Sequence, residues 1–325
     1  MARSILVTNA DGSLGCGVLR LLRAMHPEGT RIVGLASTPV SAANHLCDHL
    51  ILTPSTYHQT DGADIAFLEG VCASESVELI LPTTDWETYH LKRAQNRLPW
   101  VACSDADVSL AFYDKHLTSQ LFSRLGIPFA PSCLPSEEQG AFQSPFVKAR
   151  FGGLSRDVFP NCQNPRAFSD DYVVQEALGG QEVTAAFYVT KSKRVHGTIA
   201  FTRSLRFGST IQCETTDVVD EQIHVIAEML ASKGNVVGSC NLQGKICDGR
   251  FVVFEVNGRV SGTASIRAQF GFEDVRYLVE EYLFDEQPTP CVIRRGSAVR
   301  MMTDVIYPGR TLSQVVQDPG ACQFF

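Results

Sequence analysis

In the stretch FVVFEVNGRVSG, residues 251–262, a carboxylate, an amide and a guanidinium recur at every second position as Glu255, Asn257 and Arg259. Alternate side chains of a strand share a face, so these three would point one way while Phe254 and Val256 point the other. Upstream, SCNLQGKICDG carries Gln243, and Asp248-Gly249 reads as a two-residue hairpin turn that lays Gln243 near Glu255. Side-chain oxygens of Gln243, Glu255 and Asn257 make a hard donor set suited to Mg²⁺ or Mn²⁺, ions that draw further ligands from water and substrate phosphates. Arg259, one strand step on, is placed to pair with a phosphate oxygen. A solvated strand face is the plain alternative. Against it, the opposite face is apolar, and this one carries no Lys, Thr or Ser.

Three further clusters bear on the same chemistry. SPFVKARFGGLSRDV offers a strand lysine, Lys148, followed by Gly152, Gly153 and Ser155. An ammonium meets phosphate oxygens while Cβ-free amides approach closely, although an exposed lysine beside a turn fits equally well. It is no Walker A loop. YVVQEALGGQEVTAAFYV presents Gln175, Glu176, Leu178 and Glu182. Such a stretch could offer backbone contacts to a purine and a carboxylate to a ribose, or be a surface hairpin. NADGSLGCG has Gly12, Gly15 and Gly17 after a strand, but the spacing is not that of a dinucleotide fingerprint and the second strand ends in Ala36-Ser37 without an acid. The glycines read as a tight strand-to-helix turn, which disfavours an NAD-dependent oxidoreductase.

Cations suited to a carboxylate substrate are Arg203 in FTRSLRFG and Arg267 in SGTASIRAQFG. Asp85 and Glu87 follow the third apolar strand, where doubly wound sheets place ligands. They would line a second-substrate pocket, or belong to a helix N-terminus capped by Asp85.

The elements that position these residues fall into two patterns. Up to about residue 107, short apolar runs alternate with amphipathic segments, the rhythm of β-α-β units and a parallel sheet. DVSLAFYDKHLTSQLFSRLGIPFAP reads as a helix ending at Leu125-Gly126. Beyond about 140, strands and hairpins predominate, giving an α+β region with a mainly antiparallel sheet. The 325 residues contain 28 basic and 35 acidic side chains, a net charge of −7, which argues against a broad nucleic-acid footprint. No stretch approaches the roughly 18 apolar residues of a membrane span, and the absence of a leader pattern reads as cytoplasmic. Eleven cysteines without a C-x-x-C pair read as reduced, buried thiols rather than a zinc site.

Taken in order, Lys115 of YDKHLT, Lys148, the Gly-Gly loop, Q-E-x-L, Glu182, Gln243 and E-x-N-x-R resemble the ATP-grasp superfamily, in its carbamoyl-phosphate-synthetase-like and D-alanine-ligase-like branches. The resemblance implies a Rossmann-like pre-ATP-grasp domain over 1–107, a small ATP-grasp subdomain over 108–190, and a large subdomain with the metal site over 191–325. It implies Lys115 and Lys148 on nucleotide phosphates beneath the Gly152, Gly153 and Ser155 loop. Gln175, Glu176 and Leu178 would face adenine, and Glu182 the ribose. Gln243, Glu255 and Asn257 would hold magnesium, with Glu255 bridging two ions, and Arg259 would stabilise the transferred phosphoryl group. Gly258 stands where relatives usually have Pro, implying a looser strand end. The implied activity is an ATP-dependent, ADP-forming ligase that joins a small carboxylate to an amine, or another nucleophile, through an acyl phosphate. A catalytically idle ATP-binding protein on the same scaffold is the alternative. The sequence leaves open whether the chain forms a homodimer.

Overall fold

Alternating β-branched runs and amphipathic segments give, in order, β1 (Arg3–Val7), α1 (Ser13–Met25), β2 (Thr30–Ala36), β3 (His49–Leu52), α2 (Asp61–Glu75), β4 (Val77–Leu81), α3 (Asp85–Arg93) and β5 (Trp100–Val101). The computed structural model describes residues 3–25, 29–58, 61–152, 157–206, 208–301, 303–317 and 320–324. The five strands run parallel in the order β3-β2-β1-β4-β5, so the winding direction reverses between β1 and β4. Leu6, Val33, Leu35, Ile80 and Val101 of the sheet bury against Leu68 and Leu91 of the helices. Because both faces are covered, the strands read as continuous apolar runs. The β1–α1 turn needs glycine at one place: a Cβ on Gly15 would lie 2.2 Å from the Asn9 carbonyl oxygen.

The chain continues with α4 (Ala106–Tyr113), α5 (Lys115–Leu125), β6 (Ser132–Cys133), β7 (Pro145–Ala149), β8 (Val158–Phe159), β9 (Tyr172–Glu176), β10 (Gln181–Val189), β11 (Val195–Arg206), β12 (Ser209–Thr215), α6 (Asp220–Ser232), β13 (Gly238–Cys247) and β14 (Arg250–Asn257). The single helix expected around residues 108–125 is broken at Asp114, whose carboxylate caps α5 by accepting from the amides of His116 and Leu117. The predicted stop is present, with Gly126 in the left-handed region at φ 69°.

After β14 come α7 (Ala264–Arg267), α8 (Asp274–Tyr282), β15 (Ser297–Val299), β16 (Val305–Ile306), α9 (Leu312–Gln317) and β17 (Gln323–Phe324). Contacts divide the chain into two units, one of Met1–Cys103, Arg259–Val292 and Arg300–Phe325, the other of Ser104–Gly258 and Ile293–Val299. The second unit holds two sheets, β6-β9-β7-β8 and β14-β13-β10-β11-β12-β15. Phe187, Leu242, Phe251 and Val253 of the larger sheet bury against Ile223 and Leu230 of α6 and Leu121 and Phe122 of α5. Gly258 is not loose: a Cβ there would lie 2.8 Å from the ring of Phe112, so the position is closed to larger residues. Of the eleven cysteines, all free, five are buried and six are only partly so.

Candidate active site

The metal-type residues sit on the β13–β14 hairpin. Its loop is Asp248-Gly249, both with positive φ, 49° and 78°, as a type I′ turn requires. Gln243 pairs across the ladder with Glu255, and Asn241 with Asn257. Gln243 Nε2 lies 3.3 Å from Glu255 Oε1 and 3.2 Å from Asn257 Oδ1, so the three expected ligands converge. The strand is not regular, because the register shifts between Gln243 and Gly244, whose partner is Val253. Phe254 is therefore a bulge residue. Val256 enters the core as expected, but on the other side of the bulge Phe251 and Val253 do so, and Phe254 does not.

That bulge carries the contact to the second sheet of the same unit. Lys148, on β7, is 5 % exposed, and its Nζ donates to the Phe254 carbonyl at 3.1 Å and to Gln175 Oε1 at 2.9 Å. Gln175, opposite Phe146 on the neighbouring β9, donates from Nε2 to Ser132 Oγ at 2.9 Å and to the same carbonyl at 3.3 Å. Burial pushes the Lys148 ammonium down to about 8, against the opposing pull of the Glu255 carboxylate and with the help of Lys115. Among neutral acceptors, Lys148 is a cation waiting for a stronger anion. Of the two sequence readings, a phosphate contact or an exposed lysine beside a turn, burial overturns the second.

Arg203, expected on a carboxylate substrate, stands inside the metal-type cluster. It donates from Nε and Nη2 to Glu182 Oε1 at 2.9 and 2.7 Å, and from Nη2 to Gln243 Oε1 at 2.6 Å. Glu182 is thus ion-paired through Oε1. Beside them Thr184 donates to Asn241 Oδ1 at 3.2 Å, both buried; neither residue was singled out from the sequence.

At the start of α5, Lys115 Nζ donates to the Gly152 carbonyl at 2.8 Å, and Gly152 has φ 105°. Arg150 closes on Asp114 with two bonds of 2.8 and 2.7 Å, tying the helix start to the strand end that carries Lys148. Asp before a helix and a basic residue two beyond the strand lysine were the available signals for this pair. Gly153 and Ser155 lie outside the described residues. The Glu176 carboxylate accepts from the amides of Gln143 and Ser144, each at 3.0 Å, and the Leu178 carbonyl accepts from Lys245 at 2.7 Å. The segment is not a hairpin, since β9 and β10 belong to different sheets.

The remaining candidates belong to the first unit. Arg259 lies beyond the end of β14, not on its face, and donates from Nη2 to Asp85 Oδ2 at 2.7 Å. Asp85 is not the cap of α3; Thr84 is, in a capping box with Glu87. Glu87, expected to line a pocket, is fully buried and accepts from the Thr8 hydroxyl at 2.5 Å, the Thr84 amide at 3.0 Å and the Thr83 amide at 3.2 Å. Burial raises its carboxyl, but His58 and these donors outweigh that and hold it below its ordinary value. Arg267, the other expected carboxylate binder, is also corrected. It is 0 % exposed, paired with the buried Asp274, and donates to Ser261 Oγ at 2.9 Å, so it is a structural pair no substrate reaches.

The arrangement of folds places the chain in a known class. Its parallel-sheet domain followed by paired α+β sheets is the ATP-grasp fold with a pre-ATP-grasp domain. Solved structures that it resembles include N5-carboxyaminoimidazole ribonucleotide synthetase in complex with ADP, at 11 % identity and TM-score 0.71, covering 90 % of this chain and 79 % of that one. The Thermotoga maritima enzyme of the same name aligns at 14 % and 0.68, covering 94 % and 84 %. The biotin carboxylase domain of Hydrogenobacter thermophilus 2-oxoglutarate carboxylase, with MgADP, ADP and bicarbonate, aligns at 14 % and 0.67, covering 87 % and 70 %. No protein-family model and no curated protein sequence matches the chain. Identities this low establish the fold and do not separate branches within it. Among the described residues no helix is long and apolar enough to cross a membrane.

Proposed function

We propose that the chain is an ATP-dependent ligase that activates a small carboxylate as an acyl phosphate and passes it to an amine, releasing ADP and phosphate. The observation that carries the reading is the convergence of Gln243, Glu255 and Asn257 within 3.5 Å of one another, next to a buried lysine held against the Phe254 carbonyl. A buried ammonium with only neutral acceptors gains most from an arriving polyphosphate. By the resemblance, Lys148 and Lys115 hold phosphates, Gln175, Glu176 and Leu178 face adenine, and Glu182 faces the ribose with Oε2, the oxygen that Arg203 does not hold.

Magnesium or manganese would be held by Glu255 and Asn257, whose hard oxygens suit either ion; Gln243 could join only by turning its amide. Bound there, the ion would neutralise phosphate oxygens. The substrate carboxylate oxygen attacks the γ-phosphorus, the bond from phosphorus to the β–γ bridging oxygen breaks, and ADP leaves with the electron pair. The amine then attacks the acyl carbon, phosphate leaves, and the amine proton passes to solvent. The residues above position reactants and stabilise charge, which dominates phosphoryl transfer. Arg259 is assigned the transferred phosphoryl group by resemblance alone.

Acids, bicarbonate included, are screened against amines, ammonia included, for release of ADP and phosphate, with Glu255→Ala as control. Release that depends on one acid–amine pair and vanishes in the control supports the ligase. Tight ATP binding with no release from any pair marks an idle scaffold.

A further inference from the structure

We infer that the guanidinium of Arg203 takes the place of one of the two divalent ions expected of such a ligase, leaving a single ion on Glu255 and Asn257 and making Gln243 a hydrogen-bond donor rather than a ligand. The inference rests on the ATP-dependent reading above. A guanidinium only donates, so the Gln243 atom 2.6 Å from Arg203 Nη2 is the amide oxygen. The nitrogen is thereby turned on Glu255 Oε1 and Asn257 Oδ1, at 3.3 and 3.2 Å. Amide hydrogens facing those oxygens fill the space a cation would need between the three side chains.

Arg203 is not a loose surface cation. Its side chain is 9 % exposed, and Nε and Nη2 both grip Glu182 Oε1. With Glu182 and Gln243 tied to the guanidinium, Glu255 is the one carboxylate left at the cradle. Among the described residues no group of three or more His, Cys, Asp or Glu side chains is placed to hold a metal. One carboxylate and one amide, completed by phosphate oxygens and water, satisfy one octahedral ion. A second ion would have to displace a fixed cation that already supplies positive charge there, in a planar fork suited to phosphate.

The test counts ions. Full-length protein, in excess over the non-hydrolysable analogue adenylyl imidodiphosphate, is titrated with Mn²⁺ and followed by electron paramagnetic resonance, with nucleotide binding measured separately by equilibrium dialysis. The wild type is expected to take one Mn²⁺ per bound nucleotide and to show an uncoupled six-line spectrum. Arg203→Met is expected to take a second, with the spectral broadening of two ions about 4 Å apart. Arg203→Gln, which keeps a donor for Glu182, carries the same expectation if the methionine variant does not fold. Two coupled ions in the wild type, or a count of one in the charge-removing variants, overturn the inference while leaving the ATP reading intact. Absence of nucleotide binding to the wild type overturns both.

Discussion

The Arg259 guanidinium lies 2.7 Å from the Asp85 carboxylate, two side chains only 14 % and 12 % exposed and 174 positions apart in the chain. Removing one partner of such a pair strands the other's charge. Asp85→Asn is therefore expected to lower unfolding free energy by about 2 kcal/mol in urea titrations. If Arg259 serves the phosphoryl group, the same change lowers kcat while the KM for ATP moves little, and Arg259→Ala costs about 10³ in kcat. Equal, small losses in both variants would remove Arg259 from the chemistry.

Glu255→Gln preserves shape and removes the one carboxylate at the cradle not tied to Arg203. Turnover, read as ADP release, should fall by at least about 10²-fold. Circular dichroism and thermal melting should stay close to wild type, since Glu255 is half-buried at a cross-strand position rather than in the core. A variant that keeps its turnover would show that the convergence of these oxygens is incidental.

Lys148 gives two pH signatures. A buried lysine that deprotonates at about 8 when folded, but near 10.5 when unfolded, makes the unfolded chain bind more protons between those values. Stability should accordingly rise as pH goes from about 8 to about 10, by up to about 3 kcal/mol. Lys148→Met should lack that rise in chemical denaturation series. A parallel slope for both proteins would place the titration elsewhere.

Nucleotide binding supplies the second signature. A triphosphate beside Lys148 restores its charge, so ATP binding near pH 8.5 should take up a fraction of a proton, and Lys148→Met should not. Calorimetry in two buffers of different ionisation enthalpy reads this directly. Binding heats that are independent of buffer would mean that the phosphates do not meet this lysine.

Glu87 is expected to matter to the fold and not to the reaction. Glu87→Ala takes the acceptor from the Thr8 hydroxyl and the Thr84 amide, while the Thr83 amide keeps Thr8 Oγ1 at 3.0 Å, a loss of about 3 kcal/mol. Because its folded carboxyl titrates below its unfolded value, the stability it confers is present above about pH 4.5 and is lost as pH falls through the lower folded value. The variant should thus flatten the acid limb of the stability profile. Unchanged urea midpoints at pH 7 and pH 4 would refute this role.

Legibility in the sequence followed the range of the physics. Local rules were enough for the parallel-sheet rhythm, the Asp248-Gly249 turn and the stop at Gly126, but that turn alone would set Gln243 opposite Phe254, and the bulge is what brings Glu255 there. Properties that depend on distant partners were not readable. Arg267 and Glu87 look the same in a string whether they face a substrate or, as here, Asp274 and the start of α3. Nor does period-two alternation reveal that Arg203, two strands away, closes on Gln243, or that Arg259–Val292 belongs with the beginning of the chain.

The bulge at Phe254 makes β14 one residue longer than its ladder requires. Excising Phe254 would turn the steps from Gly244–Val253 to Gln243–Glu255 into an unbroken ladder, keeping every inward-facing apolar residue in phase and taking away the carbonyl on which Lys148 leans. Architecture and reactivity come apart at that single surplus position. The shortened chain should keep its sheet, melt somewhat below its parent because Lys148 and Gln175 lose an acceptor, and lose its grip on nucleotide, an outcome that paired circular-dichroism melting and dialysis measurements would confirm or deny.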